Sequence, residues 1–431
     1  VGSEMCIRDR VEILTLEDCL RIGIDNNLSL EGKRKEIQKS KYGVSENRSK
    51  LLPQINAIAG YNNNFDPPVS VTDGSSYGVP YNITKTLQHS ANAGLEMQMP
   101  LFNQTLYTSM SIAKVMEEIS RLSYGKARED VILQISKMYY LGQVTAEQIM
   151  LIKANITRLE ELRDITQAFF DNGMSMEVDL KRVNINLENL KVQYDNAQAM
   201  MKQQLNMLKY IMDYPAEKEI ALTPVNTDSI TTVALTGLSE NIYELQLSQS
   251  QVQLAERQKK IIANGYIPSL SLTGSWRYAA YTDKGYHWFH SGPSNQWFRS
   301  YGVGLTLRIP IFDGLDKTYK IKKAMIDIEN KRLAWEDARK NLQTQYLNAV
   351  NDLMNNQRNF KKQKDNYLLA EDVYAVTSDR YREGIASMTE VLQDEMQMSE
   401  AQNNYISAHY NYRVTNLMLL KLTGQIESLV K

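Results

Sequence analysis

The residues of this chain that could do chemistry are few and scattered. There are four histidines, His89, His287, His290 and His409. His287-Trp288-Phe289-His290 has the spacing of a metal-ligand pair, yet no cysteine or clear carboxylate set lies beside it. Gly74-Ser75-Ser76-Tyr77-Gly78 fits the G-x-S-x-G pattern of a nucleophile elbow. That elbow needs a strand before it and a helix after it, and this copy sits inside a polar loop. Gly302-Val303-Gly304 falls on the polar side of an alternating segment, where small residues suit close strands. No Gly-Lys-Ser/Thr pattern offers a phosphate site. Cys6 and Cys19 build neither a disulfide framework nor a metal site, and Cys19 reads as a small buried apolar residue. The 19 methionines read as core filler rather than soft-metal ligands. The sequence predicts no catalytic residue, no cofactor and no resident metal. A formal net charge of −1 also lacks the basic surface that a nucleic-acid partner requires.

Two glycines stand apart. Gly173 in Phe170-Asp171-Asn172-Gly173 and Gly384 in Tyr381-Arg382-Glu383-Gly384 fall at reversals between long helical stretches, where a positive φ suits glycine. The elements around them follow from proline placement. Of 10 prolines, none lies between 101 and 214 and none after 310. An interior proline costs a helix about 3 kcal/mol, so the gaps predict very long helices over 104–168 and 317–380. Each is followed by a return helix. Leu133, Met138, Leu141 and Val144 recur at helical spacing, and Val391, Met398, Tyr405, Tyr412 and Leu419 recur at sevens, the mark of coiled-coil packing. A further helix is expected over 16–50, capped by Thr15 with Glu17 and Asp18 in its first turn, and another over 238–264 with Ser239 as its cap.

Four segments alternate with period two, at about 54–65, 87–99, 267–279 and 299–309. Ile58 alone sits on the wrong face. Such lengths match a barrel strand crossing an outer membrane better than the usual soluble strand of about 5–6 residues. Tyr61, Trp276, Tyr278 and Tyr301 are placed for an interfacial aromatic girdle. Polar loops at 66–86 and 280–298 join the strands in pairs. No apolar run approaches the roughly 20 residues of a spanning helix.

The landmarks come twice. Leu52-Pro53-Gln54-Ile55 is echoed by Ile267-Pro268-Ser269-Leu270, and Pro100-Leu101-Phe102 by Pro310-Ile311-Phe312. With Gly173 and Gly384 they keep an offset of about 210 residues, which predicts a duplicated helix–strand–strand–helix–helix unit. The first repeat covers 11–212, a linker 213–237, the second repeat 238–424 and a tail 425–431. Residues 1–10 read as a non-native scar, with an export signal lost upstream. Pro53, Pro100, Pro268 and Pro310 mark the helix–strand borders. Four amphipathic strands cannot close a barrel, which needs about 8, and an open edge in lipid leaves backbone groups unpaired. Copies must therefore pool strands. A coiled-coil scaffold or adhesin is the rival reading, and it leaves the four alternating segments unexplained.

These features, with Tyr381-Arg382-Glu383-Gly384-Ile385-Ala386-Ser387-Met388-Thr389-Glu390-Val391-Leu392 and Tyr410-Asn411-Tyr412 running to Thr423-Gly424, resemble the TolC-like outer-membrane efflux proteins over 11–424. The resemblance implies an α+β membrane protein of the bacterial outer membrane. It implies a homotrimer with a pooled twelve-stranded antiparallel β-barrel, set in outer-membrane lipid, and a long α-helical coiled-coil tunnel in the periplasm. It also implies passive, gated export of drugs, metal ions or proteins, driven by an inner-membrane transporter of the RND or ABC class through a periplasmic adaptor. The turns Gly173, Met174 and Ser175, and Gly384, Ile385, Ala386 and Ser387, would meet that adaptor. Glu390 would form a carboxylate ring in the tunnel, and Tyr381 would help close the entrance. The next lumen acid of the family is Gln393 here, with Asp394 adjacent. The usual arginine partner of Tyr381 is Ala386, for which Arg382 could substitute. Glu177 and Asp179 face either the inter-helix groove or water.

Overall fold

The computed structural model describes residues 12–73, 75–224, 237–283 and 296–430. Helix dominates. In chain order come β1 (Glu12–Leu14), α1 (Leu16–Asn26), α2 (Leu28–Ser49), β2 (Gln54–Asn63), β3 (Val69–Asp73), β4 (Tyr81–Lys85), β5 (His89–Phe102), α3 (Gln104–Asp171), α4 (Glu177–Met212), β6 (Ile220–Leu222), α5 (Tyr243–Ala263), β7 (Ser269–Thr282), β8 (Trp297–Arg308), α6 (Asp316–Arg382) and α7 (Met388–Leu422). α3 and α6, of 68 and 67 residues, are each about 100 Å long at 1.5 Å per residue. No helix among the described residues is long and apolar enough to cross a membrane.

The chain forms two compact units, and each draws on both halves of the sequence. One, residues 38–119 and 250–332, holds an antiparallel sheet in the order β2-β5-β7-β8. Its register collects the alternating residues into cross-strand rows: Ile55–Met97–Gly274–Val303, Ala57–Leu95–Trp276–Tyr301, Ala59–Ala93–Tyr278–Arg299 and Tyr61–Ala91–Ala280–Trp297. Opposed residues share a face, so one face is largely apolar, and Ile58 falls on the other with Glu96 and Arg277, which form an ion pair. β7 runs on to Thr282, past the expected end. Trp276 and Tyr301 therefore pair in mid-strand, not in an end girdle, and the row of Tyr61 and Trp297 lies nearer the strand ends. Among the described residues, β2 and β8 each pair on one side only.

The prolines sit unequally. Pro53 lies between α2 and β2, Pro268 just ahead of β7, and Pro310 just past β8. Pro100, expected at a border, lies inside β5. The register skips a residue between Pro100 and Phe102, and a proline without an N–H is tolerated at such an irregularity. The border falls at Asn103, whose Oδ1 accepts the Thr105 and Leu106 N–H groups at 3.0 and 3.3 Å and caps α3. The loop expected over 66–86 contains the β3–β4 hairpin.

The other unit, with residues 12–37, 120–224, 237–249 and 333–430 described, is mainly helical. Thr15 and Asp18 form a reciprocal capping box on α1. The single helix expected over 16–50 is broken at Asn27. Its Nδ2 donates to the Ile211 carbonyl at 2.7 Å and its Oδ1 accepts the Leu30 N–H at 3.1 Å, so one side chain opens α2 and ties the break to α4. Asparagine competes for backbone in this way. Cys19 is fully buried, its thiol pushed up to about 12 by desolvation. Part of the expected linker is strand: β6 pairs in parallel with β1, and Tyr139 and Gln143 of α3 bond Leu14 and Thr223 beside it. The expected helix at 238 starts at Tyr243; Ser239 Oγ instead accepts the Asn241 N–H in the preceding turn. Val391, Met398, Tyr405, Tyr412 and Leu419, the sevenfold set, are all at most 6% exposed.

Candidate functional site

The helical unit ends in two hairpins, α3–α4 and α6–α7, and their turns share one backbone design. Gly173 and Gly384 both have φ +75°. Met174 N–H donates to Phe169 O at 2.8 Å and Gly173 N–H to Phe170 O at 2.9 Å; Ile385 N–H donates to Arg380 O at 2.8 Å and Gly384 N–H to Tyr381 O at 2.9 Å. This pairing ends a helix with a left-handed residue and satisfies its last carbonyls.

The return helices start differently. Ser387 caps α7: its Oγ accepts the Glu390 N–H at 3.3 Å, and Glu390 Oε2 accepts the Ser387 N–H at 2.8 Å. The Ser387 backbone and side chain hold the Glu390 carboxyl below its ordinary range, with help from Arg380. Glu390 is thus an exposed, ionised and positionally fixed carboxylate. Asp394, one turn on, is half-buried. α4 is preceded by Met176, whose side chain makes no cap. Its first-turn acids lean on bases instead: Glu177 on Lys181 at 2.7 Å and Asp179 on Arg182 at 3.2 Å. Arg182 also reaches Thr389 Oγ1 at 3.4 Å, joining the two turns.

Tyr381 is 6% exposed and packs on Phe169 with ring centroids 5.7 Å apart. Its hydroxyl lies 3.2 Å from Thr166 Oγ1. Thr166 already donates to Leu162 O at 2.7 Å, so Tyr381 is the donor. Arg382 does not pair with Tyr381 within the protomer; it reaches Glu161 at 3.4 Å and Asp379 at 3.3 Å. Ala386 packs on the same core, whereas Met174, Met176, Val178 and Ile385 are exposed. The tips therefore carry apolar groups in water on a rigid frame, Ser175 half-buried among them. Such apolar exposure is a mark of a contact surface.

Sequence reasoning missed a buried polar stripe on α7. Glu395, Gln402 and His409, each at most 5% exposed, follow one another at sevens beside the apolar set. Burial pushes the Glu395 carboxyl up, opposed by Arg158. Gln402 accepts from Asn155 Nδ2 at 2.7 Å. His409 Nε2 accepts from Arg413 Nε at 2.9 Å, leaving Nδ1 for the proton, 3.5 Å from Glu147 Oε2. Tyr405 donates to the other Glu147 oxygen at 2.9 Å. The spacing was visible; only packing distinguishes a buried polar seam from a wet face.

His287, His290 and Gly74 lie outside the described residues, as do 1–11 and 225–236. Ser75 bonds Asp73 in an exposed turn. No group of three or more metal-capable residues occurs among the described residues.

The family profile described as outer membrane efflux protein matches residues 22–212 and 238–425. The outer membrane protein TolC of Vibrio cholerae is 21% identical over 399 residues, spanning 89% of this chain and 84% of that one. Among solved structures, CusC superposes with a TM-score of 0.78 at 15% identity, covering 98% of this chain and 96% of that one. The open state of the Neisseria gonorrhoeae MtrE outer membrane channel gives 0.76 at 18% identity, covering 95% and 88%. With the family profile matched over both halves of the sequence and the fold shared almost end to end, this chain belongs to the outer membrane efflux protein family and is a TolC-like channel protein of the outer membrane.

Proposed function

We propose that the chain is the exit duct of a tripartite efflux or type I secretion system. The observation that carries this reading is the four-stranded sheet, largely apolar on one face, with β2 and β8 unpaired on their outer sides. Unpaired edges cost several kcal/mol per group in lipid. An even strand number in an antiparallel sheet puts β8 of one copy antiparallel to β2 of the next, so a ring of copies closes without a parallel seam. Two copies would give eight strands and three would give twelve; resemblance to the family selects three. On this reading 11–212 and 238–424 are the duplicated repeats, joined by the segment between them.

The exposed tips around Gly173 and Gly384, from Met174 to Met176 and from Ile385 to Ser387, are the surface for a periplasmic adaptor, which links the duct to an RND or ABC transporter in the inner membrane. Repeated by symmetry, Glu390 forms the fixed carboxylate ring that favours cations, with Asp394 behind it, while Tyr381 and Arg382 brace the entrance. Transport through the duct is passive, and the transporter supplies the energy.

The test is covalent closure of the barrel. In a background lacking Cys6 and Cys19, Ala59→Cys in β2 is combined with Arg299→Cys, Tyr301→Cys or Val303→Cys in β8. Oxidation of membranes is expected to give one pair that links chains into a trimeric ladder on denaturing gels. A ladder ending at two chains, or no linkage from any pair in a folded protein, contradicts the trimeric barrel.

A further inference from the structure

The helical unit contains a pocket of about 370 Å³ bounded by α3, the start of α5, α6 and α7. Its apolar wall is formed by Leu133, Ile242, Leu342, Ala349, Met418 and Leu422, with Gln345, Asn348 and Thr415 as neutral polar groups beside them. One carboxylate faces it from depth. Glu129 of α3 is 4% exposed and makes no hydrogen bond or ion pair with any described residue. An ionisable group so placed is normally paired, because desolvating a lone charge is costly.

The two cations that line the pocket are already committed. Lys126 pairs with Glu244 at 3.0 Å and Lys421 with Asp130 at 2.5 Å. Arg128, the next base along α3, pairs with Glu427 at 2.9 Å. Asp352, also in the lining, adds negative charge. A largely apolar pocket with a buried carboxylate that has no hydrogen-bond or ion-pair partner among the described residues, although Lys421 lies close enough to act on it, matches one ligand chemistry, a compact organic cation with an apolar or aromatic body.

We propose that this pocket binds amphipathic organic cations, with Glu129 as the counter-charge and Leu133, Leu342 and Met418 enclosing the apolar body. All of its lining residues come from one chain. Burial pushes the Glu129 carboxyl up to about 7, with Glu427 and Asp130 raising it and Lys421 opposing them. Tyr243 and Glu244 of α5, Asp352 of α6 and Lys126 and Arg128 of α3 complete the titratable and charged surroundings. The cation's affinity therefore rises as pH increases through that value, because Glu129 loses its proton and the fixed charge appears.

The test uses the detergent-solubilised full chain and benzyltrimethylammonium, whose charge does not titrate, with benzyl alcohol and benzoate as neutral and anionic comparators. Calorimetry is expected to show one saturable site per chain for the cation and tighter binding at pH 8 than at pH 6. Glu129→Gln keeps the shape and removes the charge; it is expected to weaken binding about ten-fold or more and abolish the pH dependence, in line with the strength of charge-assisted contacts. Met418→Trp fills the mouth and is expected to block the cation while Glu129 remains. Absence of saturable binding in the unaltered chain, equal binding to Glu129→Gln, or equal binding of benzyl alcohol overturns the proposal.

Discussion

The two hairpin tips share a backbone and differ in what fixes it. Both turn on a glycine at φ +75° with the same pair of reversed hydrogen bonds. Yet the residue three positions before the glycine is Phe170, 38% exposed, in the first tip and Tyr381, 6% exposed, in the second. The return helix opens without a cap at Met176 and with a reciprocal box at Ser387 and Glu390. The second tip adds to its ion pairs at Arg382 a buried aromatic side chain and a carboxylate fixed by backbone hydrogen bonds, whereas the first rests largely on exposed ion pairs that water and salt can weaken. The difference makes α6–α7 the more firmly fixed of the two tips.

The comparison can be broken most easily at the aromatic pair. Tyr381→Ala removes a core side chain and is expected to cost about 3 kcal/mol of local stability. Phe170→Ala should stay below about 1 kcal/mol. Amide exchange at the two tips measures both, and equal losses would erase the distinction. Next come the glycines: Gly173→Ala and Gly384→Ala, both forced into left-handed geometry, should each cost roughly 1–2 kcal/mol. Their equality checks that the backbone design is shared. Ser387→Ala should cost about 1 kcal/mol by loss of the cap, while Met176→Asp should gain up to about that much in the first tip.

The smallest effect separates the forces. Glu390 and Glu177 both titrate below the ordinary value of 4.5. Each therefore adds stability that is present above that value and is lost as pH falls through the lowered one. The Glu177 shift comes first from Lys181 and should shrink in high salt. The Glu390 shift comes first from the Ser387 N–H and should persist. Carboxyl titration by NMR on tip-labelled protein at low and high salt decides this.

Much of this architecture was legible in the residues. Proline-free runs located α3 and α6 within a few positions, because a single interior proline would have broken either helix. Sevenfold spacing on α7 identified its buried seam. Period-two alternation located four strands whose register then set the apolar positions in common rows. What escaped depended on distant partners. Nothing local distinguishes Asn27 from a mid-helix asparagine; its bond to Ile211, 184 residues away, does. The three-residue β1–β6 pair is too short for any pattern. Ser387-x-x-Glu390 is a readable capping box, and the structure forms it. Glu129 carries no sequence signal, since its isolation exists only once three neighbouring bases have found other acids.

Closure of this chain into a conducting duct with a fixed acidic ring at the tip is tested most directly by single-channel recording of the purified oligomer in planar bilayers. The prediction is stepwise conductance with cation preference, and a lower preference in Glu390→Gln. An inserted, verified trimer that passes no current would contradict the claim.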